Sequence, residues 1–371
     1  MTPDEFQQRL IDAMGVLGQR KTRLVGRGAS ALWVALCAIA AKTGFSGEVI
    51  LPDMICTAVL EAVLAAGFTP RLADIDTDTY TITPATVAPL LNEYTRVVIV
   101  AHLFGHAAPI TALQTLAAQH GVFLIEDAVQ GVGGHTEDTC AALGSGGDFA
   151  FVSFDGSKMI RGHGGLLLFD DDSWTPHIDQ AIALLPTAPD TPTEQLLNVG
   201  LRDLYHGLGQ SLRAGKVPAE VTAHTFRALL PTYAPLLLRS FDHSPVNQQQ
   251  ILTDWQTLPN RVGSRNLQAA LLRKALAGLP IEQPLFRPGD AIWRYSVRFP
   301  SGEAADSFVT QLRESGRLVS HLYYPLNQLY APNELLHTNA LARRVVNLWV
   351  DEKAGDGYHA LVHHVAADIL L

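Results

Sequence analysis

Apolar residues alternate between two arrangements along the first 170 positions. Segments dominated by apolar runs at 48–51, 97–101, 122–126, 148–154 and 166–169 read as buried strands. Between them, residues 29–42, 54–66 and 110–120 carry helical spacing. A strand covered on both faces has no polar side to show, so this alternation predicts a parallel α/β sheet. From about 170 to 238 the strand signals stop, and a helical insertion is expected, with a Pro/Thr-rich stretch at 186–192. A long helix over 246–277 should then lead to a smaller α/β unit with strands at 292–299 and 318–323 around a helix at 303–314. The expected organisation is a large domain over 1–240, containing the insertion, and a small C-terminal domain over 241–371.

The chemistry concentrates at strand ends. The run 122–125 ends in Glu126-Asp127-Ala128-Val129-Gln130. The run ending at Ser153-Phe154 enters a turn, Asp155-Gly156-Ser157-Lys158, and a glycine-rich return, Gly162-His163-Gly164-Gly165. A lysine held between two buried strands is not placed for solvation. With an acid and an amide at a neighbouring strand end, it suggests pyridoxal phosphate (PLP) chemistry: the aldehyde needs an amine, and the pyridine nitrogen needs a carboxylate to stay protonated.

Composition narrows the alternatives. Apolar residues make up 47% and charged residues 17% of 371, with net charge -9, which argues for a globular protein and against a nucleic-acid or membrane-surface role. No apolar run reaches the roughly 18 residues of a membrane span. The start, Met1-Thr-Pro-Asp-Glu-Phe, lacks a signal-peptide pattern, and Cys37, Cys56 and Cys140 have no metal or disulfide spacing, so a cytoplasmic setting is expected. His102 and His106 lack a third ligand, and no metal is expected. The glycine-rich stretches do not follow a dinucleotide-binding pattern, and no nucleophile elbow occurs. Arg294 and Arg298, on an expected strand, read as ion-paired residues or as an anchor for a substrate anion.

Six segments in order resemble the DegT/StrS family of PLP-dependent sugar aminotransferases. They are Gly28-Ala29-Ser30-Ala31-Leu32; Leu51-Pro52 through Gly67-Phe-Thr-Pro70 to Asp74-Ile-Asp76; Val100-Ala-His102-Leu-Phe-Gly105; Ile125-Glu-Asp127-Ala-Val-Gln130; Ser153-Phe154 with Lys158 and Gly164-Gly165; and His321-Leu-Tyr-Tyr-Pro325-Leu326. The resemblance implies a type I PLP-enzyme fold: a large domain with a mostly parallel seven-stranded sheet, a smaller C-terminal domain, and a homodimer. It implies Lys158 as the Schiff-base lysine and general base, and Asp127 as the partner of the pyridinium. Gln130 would bond the ring's phenolic oxygen. The N–H groups of Ala29 and Ser30, after Gly28, would bind the phosphate, with Ser153 beside them.

The departures are specific. The family's aromatic on the ring face is Cys56 here, which is either a small buried apolar residue or a reactive thiol. The asparagine that relatives extend to the neighbouring subunit's phosphate is His243, followed by Pro245 where they carry arginine, and the acid before the double glycine is His163. His102 reads either as a ring contact or as a hydrogen-bonded strand-end histidine. The implied activity is amino transfer from glutamate or glutamine to a keto sugar, nucleotide-linked. The alternatives are a same-fold PLP enzyme acting on a non-sugar ketone or catalysing dehydration, and a non-catalytic sensor.

Overall fold

The computed structural model describes residues 1–186, 192–213, 215–331 and 337–371. Among these residues ten strands form two sheets. The larger holds β1 (Lys21–Val25), β2 (Glu48–Pro52), β3 (Thr69–Ala73), β4 (Thr95–Ala101), β5 (Phe123–Asp127), β6 (Phe149–Phe154) and β7 (Gly164–Phe169), in the order β1-β7-β6-β5-β4-β2-β3. Pairing is parallel from β6 across to β3, while β7 is antiparallel to β6 and β1 to β7. The mostly parallel α/β sheet expected from the apolar runs is present. The edge strands β1 and β3 were not announced by those runs.

Alternation along each strand divides the core in two. Val98 and Val100 of β4 face one apolar cluster, with Phe6, Leu113 and Ile251. Val97, Ile99 and Ala101 face the other, with Leu36, Leu60, Ile178 and Phe226. Period-two side chains therefore load both faces of one sheet, and helices cover each face. The helix Gly28–Thr43 is apolar nearly all round, as a helix between the sheet and an outer helix must be, and ends on Gly44 in the left-handed conformation.

The expected helix 246–277 is two helices, Pro245–Gln256 and Leu258–Ala275. Pro259 marks the break, because it lacks an N–H for the ladder and is favoured in a helix's first turn. The first helix packs on the large sheet through Ile251 and Trp255, whereas the second supplies Ala269 and Leu272 to the C-terminal core. The C-terminal sheet is antiparallel, in the order β8 (Tyr295–Arg298), β10 (Val345–Leu348), β9 (Val319–Ser320). Its first two strands are shorter than the apolar pattern suggested, and β10 was not expected.

The 170–238 region is helical as expected, with helices Thr175–Ala183, Pro192–Arg213 and Ala219–Leu237. Of the Pro/Thr-rich stretch, residues 187–191 lie outside the described residues. The helix Ala219–Leu237 packs on Thr57–Ala65 and on Leu326–Tyr330. Among the described residues no helix is long and apolar enough to cross a membrane.

Candidate active site

The carboxyl ends of β4, β5 and β6 open into one cavity of about 550 Å³ including its mouth. Ligands of open α/β sheets gather at such ends. Gly28, Ala29, Cys56, His102, Asp127, Gln130, Ser153 and Lys158 all line it. Seven of the nine residues singled out from the sequence are thus brought together, from segments as far apart as 28 and 158.

One wall is the start of the helix Gly28–Thr43. Its first ladder bond runs from the Ala31 N–H to the Arg27 carbonyl, 3.1 Å, so the N–H groups of Gly28, Ala29 and Ser30 precede the ladder. Among the described residues no side chain caps this end by a hydrogen bond. The approach to the sheet is close: a Cβ on Gly28 would lie 2.9 Å from the Ser153 Cβ. Ser30 itself is not on the cavity wall. Its hydroxyl donates to the Leu237 carbonyl, 3.0 Å, and accepts the Arg239 N–H, 2.9 Å, so only its backbone N–H is left for a ligand. His243 is exposed and stands edge-on to Phe241, outside the cavity of its own chain.

Asp127 ends β5. Its Oδ1 accepts the Val129 N–H at 3.0 Å. Burial pushes its carboxyl up to about 6, against the pull of that N–H and of Lys158. A buried carboxylate of this kind would be relieved by a cation beside it. Burial likewise raises the Cys56 thiol, although Lys158 pulls it back. Cys56 immediately precedes the helix Thr57–Ala65, half-buried on the cavity wall.

Both ends of the Gln130 amide are engaged. Oε1 accepts the Phe104 N–H at 2.8 Å, and Nε2 donates to the Tyr323 hydroxyl at 2.9 Å. One amide hydrogen remains. His102 lines the cavity and is hydrogen-bonded at both ring nitrogens, as its reading as a strand-end histidine expects. Its Nδ1 accepts the Ala108 N–H at 3.0 Å, so the proton sits on Nε2, which faces Glu126 Oε1 at 2.7 Å. Glu126 also accepts the N–H groups of Gly144 and Gly146, each at 2.7 Å. From the other side Arg20, buried, donates to the carbonyls of Gly144, Gly146, Gly147 and Asp148 over 3.0–3.3 Å. The loop before β6 is therefore held from both sides.

The Lys158 turn is anchored along its length. Asn247 brackets His163, accepting its N–H and donating to its carbonyl, each at 2.7 Å. Arg161 forms a buried-acid pair with Asp254 at 2.9 Å. Two residues that the sequence reading passed over complete the site. Trp293 Nε1 donates to the Ser157 carbonyl at 2.7 Å, and the Lys158 Nζ lies 4.5 Å from its ring centroid. Tyr323 stacks with Phe104, with ring centroids 6.2 Å apart. Tyr323 stood within a quoted motif; Trp293 carried no local signal beyond an aromatic opening a strand. Arg294 and Arg298 are ion-paired, Arg294 with Asp351 at 3.3 Å and Arg298 with Glu282 at 2.7 Å. Among the described residues no His, Cys, Asp and Glu cluster could hold a metal.

Residues 4–187 match the DegT/DnrJ/EryC1/StrS aminotransferase family. A UDP-N-acetyl-3-dehydro-alpha-D-glucosamine 3-aminotransferase of Acidithiobacillus ferrooxidans is 35% identical over 146 residues, 39% of this chain and 38% of that one. The L-glutamine:2-deoxy-scyllo-inosose aminotransferase of Streptomyces fradiae is 28% identical over 301 residues, 79% of this chain and 62% of that one. The matched stretch spans about two fifths of the length of most of these curated relatives. Among solved structures, the aminotransferase TlmJ of Streptoalloteichus hindustanus superposes with a TM-score of 0.76 at 20% identity, covering 98% of this chain and 89% of that one. At that identity the likeness shows the fold, which is that of these aminotransferases.

Proposed function

The chain belongs, through residues 4–187, to the DegT/DnrJ/EryC1/StrS aminotransferase family, and from that premise we propose that it is a PLP-dependent aminotransferase acting on a keto sugar. The observation that carries this is the convergence of Lys158, Asp127, Gln130, Ser153 and the Gly28 helix start on one cavity. That donor set fits PLP on three counts. Free N–H groups at a helix N-terminus suit a phosphate. A buried carboxylate raised to about 6 lacks only a cation. A half-buried amine stands on the far wall.

Bound PLP supplies an aldehyde that takes up an amine and a ring that withdraws electrons. The chain's own residues do the rest. Ala29, Ser30 and Ser153 hold the phosphate end. Asp127, charged once a pyridinium faces it, keeps that nitrogen protonated. Gln130 offers its remaining N–H to the ring's oxygen, held in place by Phe104 and Tyr323. Lys158 Nζ takes the proton from one carbon and returns it to the other. Cys56, on the cavity wall, would cover a ring face without stacking.

The donor we propose is glutamine or glutamate, and the acceptor a ketone of a sugar, nucleotide-linked. The names of the two relatives support this: one carries a UDP-linked keto sugar, the other a glutamine donor and a cyclic polyol ketone. We further propose a cytoplasmic homodimer in which His243 serves the neighbouring subunit, and a small domain that begins not near 241 but after the helix Pro245–Gln256, whose Ile251 and Trp255 belong to the large-sheet core. The exposed Val246, beside His243, supports a covered face there.

The test has two steps. Borohydride treatment of the PLP-loaded protein should fix the cofactor on Lys158, read by peptide mass. Glutamine or glutamate should then bleach the visible band, and a nucleotide-linked keto sugar should restore it. Fixation elsewhere, or no response to any amino donor, sinks the proposal.

A further inference from the structure

Lys158 presents its amine to an indole. The Nζ lies 4.5 Å from the Trp293 centroid, and among the described residues it makes no hydrogen bond or ion pair of its own. Backbone and indole of Trp293 are both tied down. Its backbone N–H donates to the Phe104 carbonyl at 2.8 Å, its carbonyl accepts Arg265 at 3.0 Å, and its Nε1 donates to Ser157, the residue next to the lysine. Trp293 is 4% exposed, so little water competes for the amine on that side. Phe104 in turn is the residue that fixes Gln130. One backbone unit thus sets both the amide and the indole relative to the cavity.

Resting on the reading of Lys158 as the reactive amine, we propose that Trp293 is a positioning residue. Its ring face holds the Lys158 amine whenever that amine is free, and favours the ammonium over the neutral form. An ammonium over a desolvated indole is attracted by the ring's negative face. A base that has just taken a proton is such an ammonium. Trp293 would therefore strengthen Lys158 as an acceptor and keep it in place to return the proton, without touching the bond-breaking carbon. Arg294 does not displace this role. Its guanidinium lies 4.4 Å from the Trp293 centroid and 4.0 Å from that of Trp349, with its charge met by Asp351. The other groups that face Lys158 are Asp127 at the end of β5, Asp155 in its own turn, and the Cys56 thiol. These groups are the same in every variant, so the comparison isolates the indole's share.

The experiment uses the full chain saturated with pyridoxamine phosphate, which leaves the lysine amine free. Acetic anhydride labelling of Lys158, followed by mass spectrometry across pH, gives the midpoint of its titration. Trp293→Leu should lower that midpoint by about half a unit to one and a half units, equivalent to roughly 3- to 30-fold in proton affinity. Trp293→Phe, which keeps a ring face and loses the Nε1 bond to Ser157, should fall less than half as far. Growth on 5-fluorotryptophan weakens the ring face without changing its shape; it should lower the midpoint even if the leucine variant fails to fold. An unmoved midpoint in the fluorinated protein overturns the proposal. So do equal shifts in the phenylalanine and leucine variants, which would assign the effect to the hydrogen bond. If borohydride fixes the cofactor on another lysine, the reading of Lys158 fails, while the midpoint still reports whether Trp293 holds its amine.

Discussion

Gly165 lies directly beneath Arg27: a Cβ there would overlap the Arg27 carbonyl group and come within 2.7 Å of the Gly28 nitrogen. β7 therefore sets how deeply the helix start descends into the cavity. Gly165→Ala must push the helix N-terminus outward. A phosphate held by fixed N–H groups should lose on the order of tenfold or more in affinity. Fluorescence titration with PLP reads this. Gly156→Ala, in the lysine turn but with nothing within 4 Å of the new Cβ, is the control and should bind normally.

Asp127→Asn should keep the fold and most of the cofactor affinity. It removes the charge that holds the ring nitrogen protonated, and the expected loss is several kcal/mol of transition-state stabilisation, on the order of 100-fold or more in rate. A single-turnover rate within about threefold of the parent would remove Asp127 from that role.

Cys56→Tyr places an aromatic where relatives carry one. Stacking adds roughly 0.5–1.5 kcal/mol beyond area burial, so PLP should bind up to about tenfold tighter, or equally well if Tyr323 crowds the new ring. The parent thiol should be unreactive near neutral pH because burial raises it. Alkylation mapped by mass spectrometry should find the exposed Cys140 first.

Glu61, in the helix Thr57–Ala65, is 0% exposed, and among the described residues neither carboxylate oxygen has a hydrogen-bond partner. Burial pushes it up to about 8 from 4.5. An acid raised on folding contributes its full stability below the unfolded value and loses it as pH rises through the folded one. The window here runs from about 4.5 to 8. Glu61→Gln should match the parent near pH 4 and exceed it at pH 9 by roughly 4 kcal/mol. Denaturant unfolding at several pH values checks this, and a pH-independent difference would contradict it.

The strands legible in the sequence are those whose apolar runs are unbroken, because burial on both faces leaves no other pattern. β1 escaped because Lys21 and Arg23 interrupt it; as an edge strand it keeps polar side chains near solvent, with Arg23 paired to Asp179. β3 carries Pro70, which an edge strand tolerates. The cavity's own residues were legible because each sits at or within a few residues of a strand end or a helix start in the first 160 positions. Trp293 was not. Its link to Lys158 spans 135 residues of sequence and depends on how the C-terminal segment docks on Phe104. Ser30 was half legible: nothing local told that its hydroxyl would be taken by Leu237 and Arg239.

Arg20 turns four carbonyls of the 144–148 loop toward one positive charge. Converging carbonyls of that kind are what a coordination shell offers an ion. Here the ion is tethered to the main chain. It needs no supply from solution, does not exchange, and survives chelators and dialysis. An Arg20→Leu chain would keep the core packing of Phe6, Leu10, Met14 and Leu17 but lose the resident ion. Of the six bonds that Arg20 and Glu126 make to the loop, only the two that Glu126, the neighbour of Asp127, accepts from the opposite side would then remain.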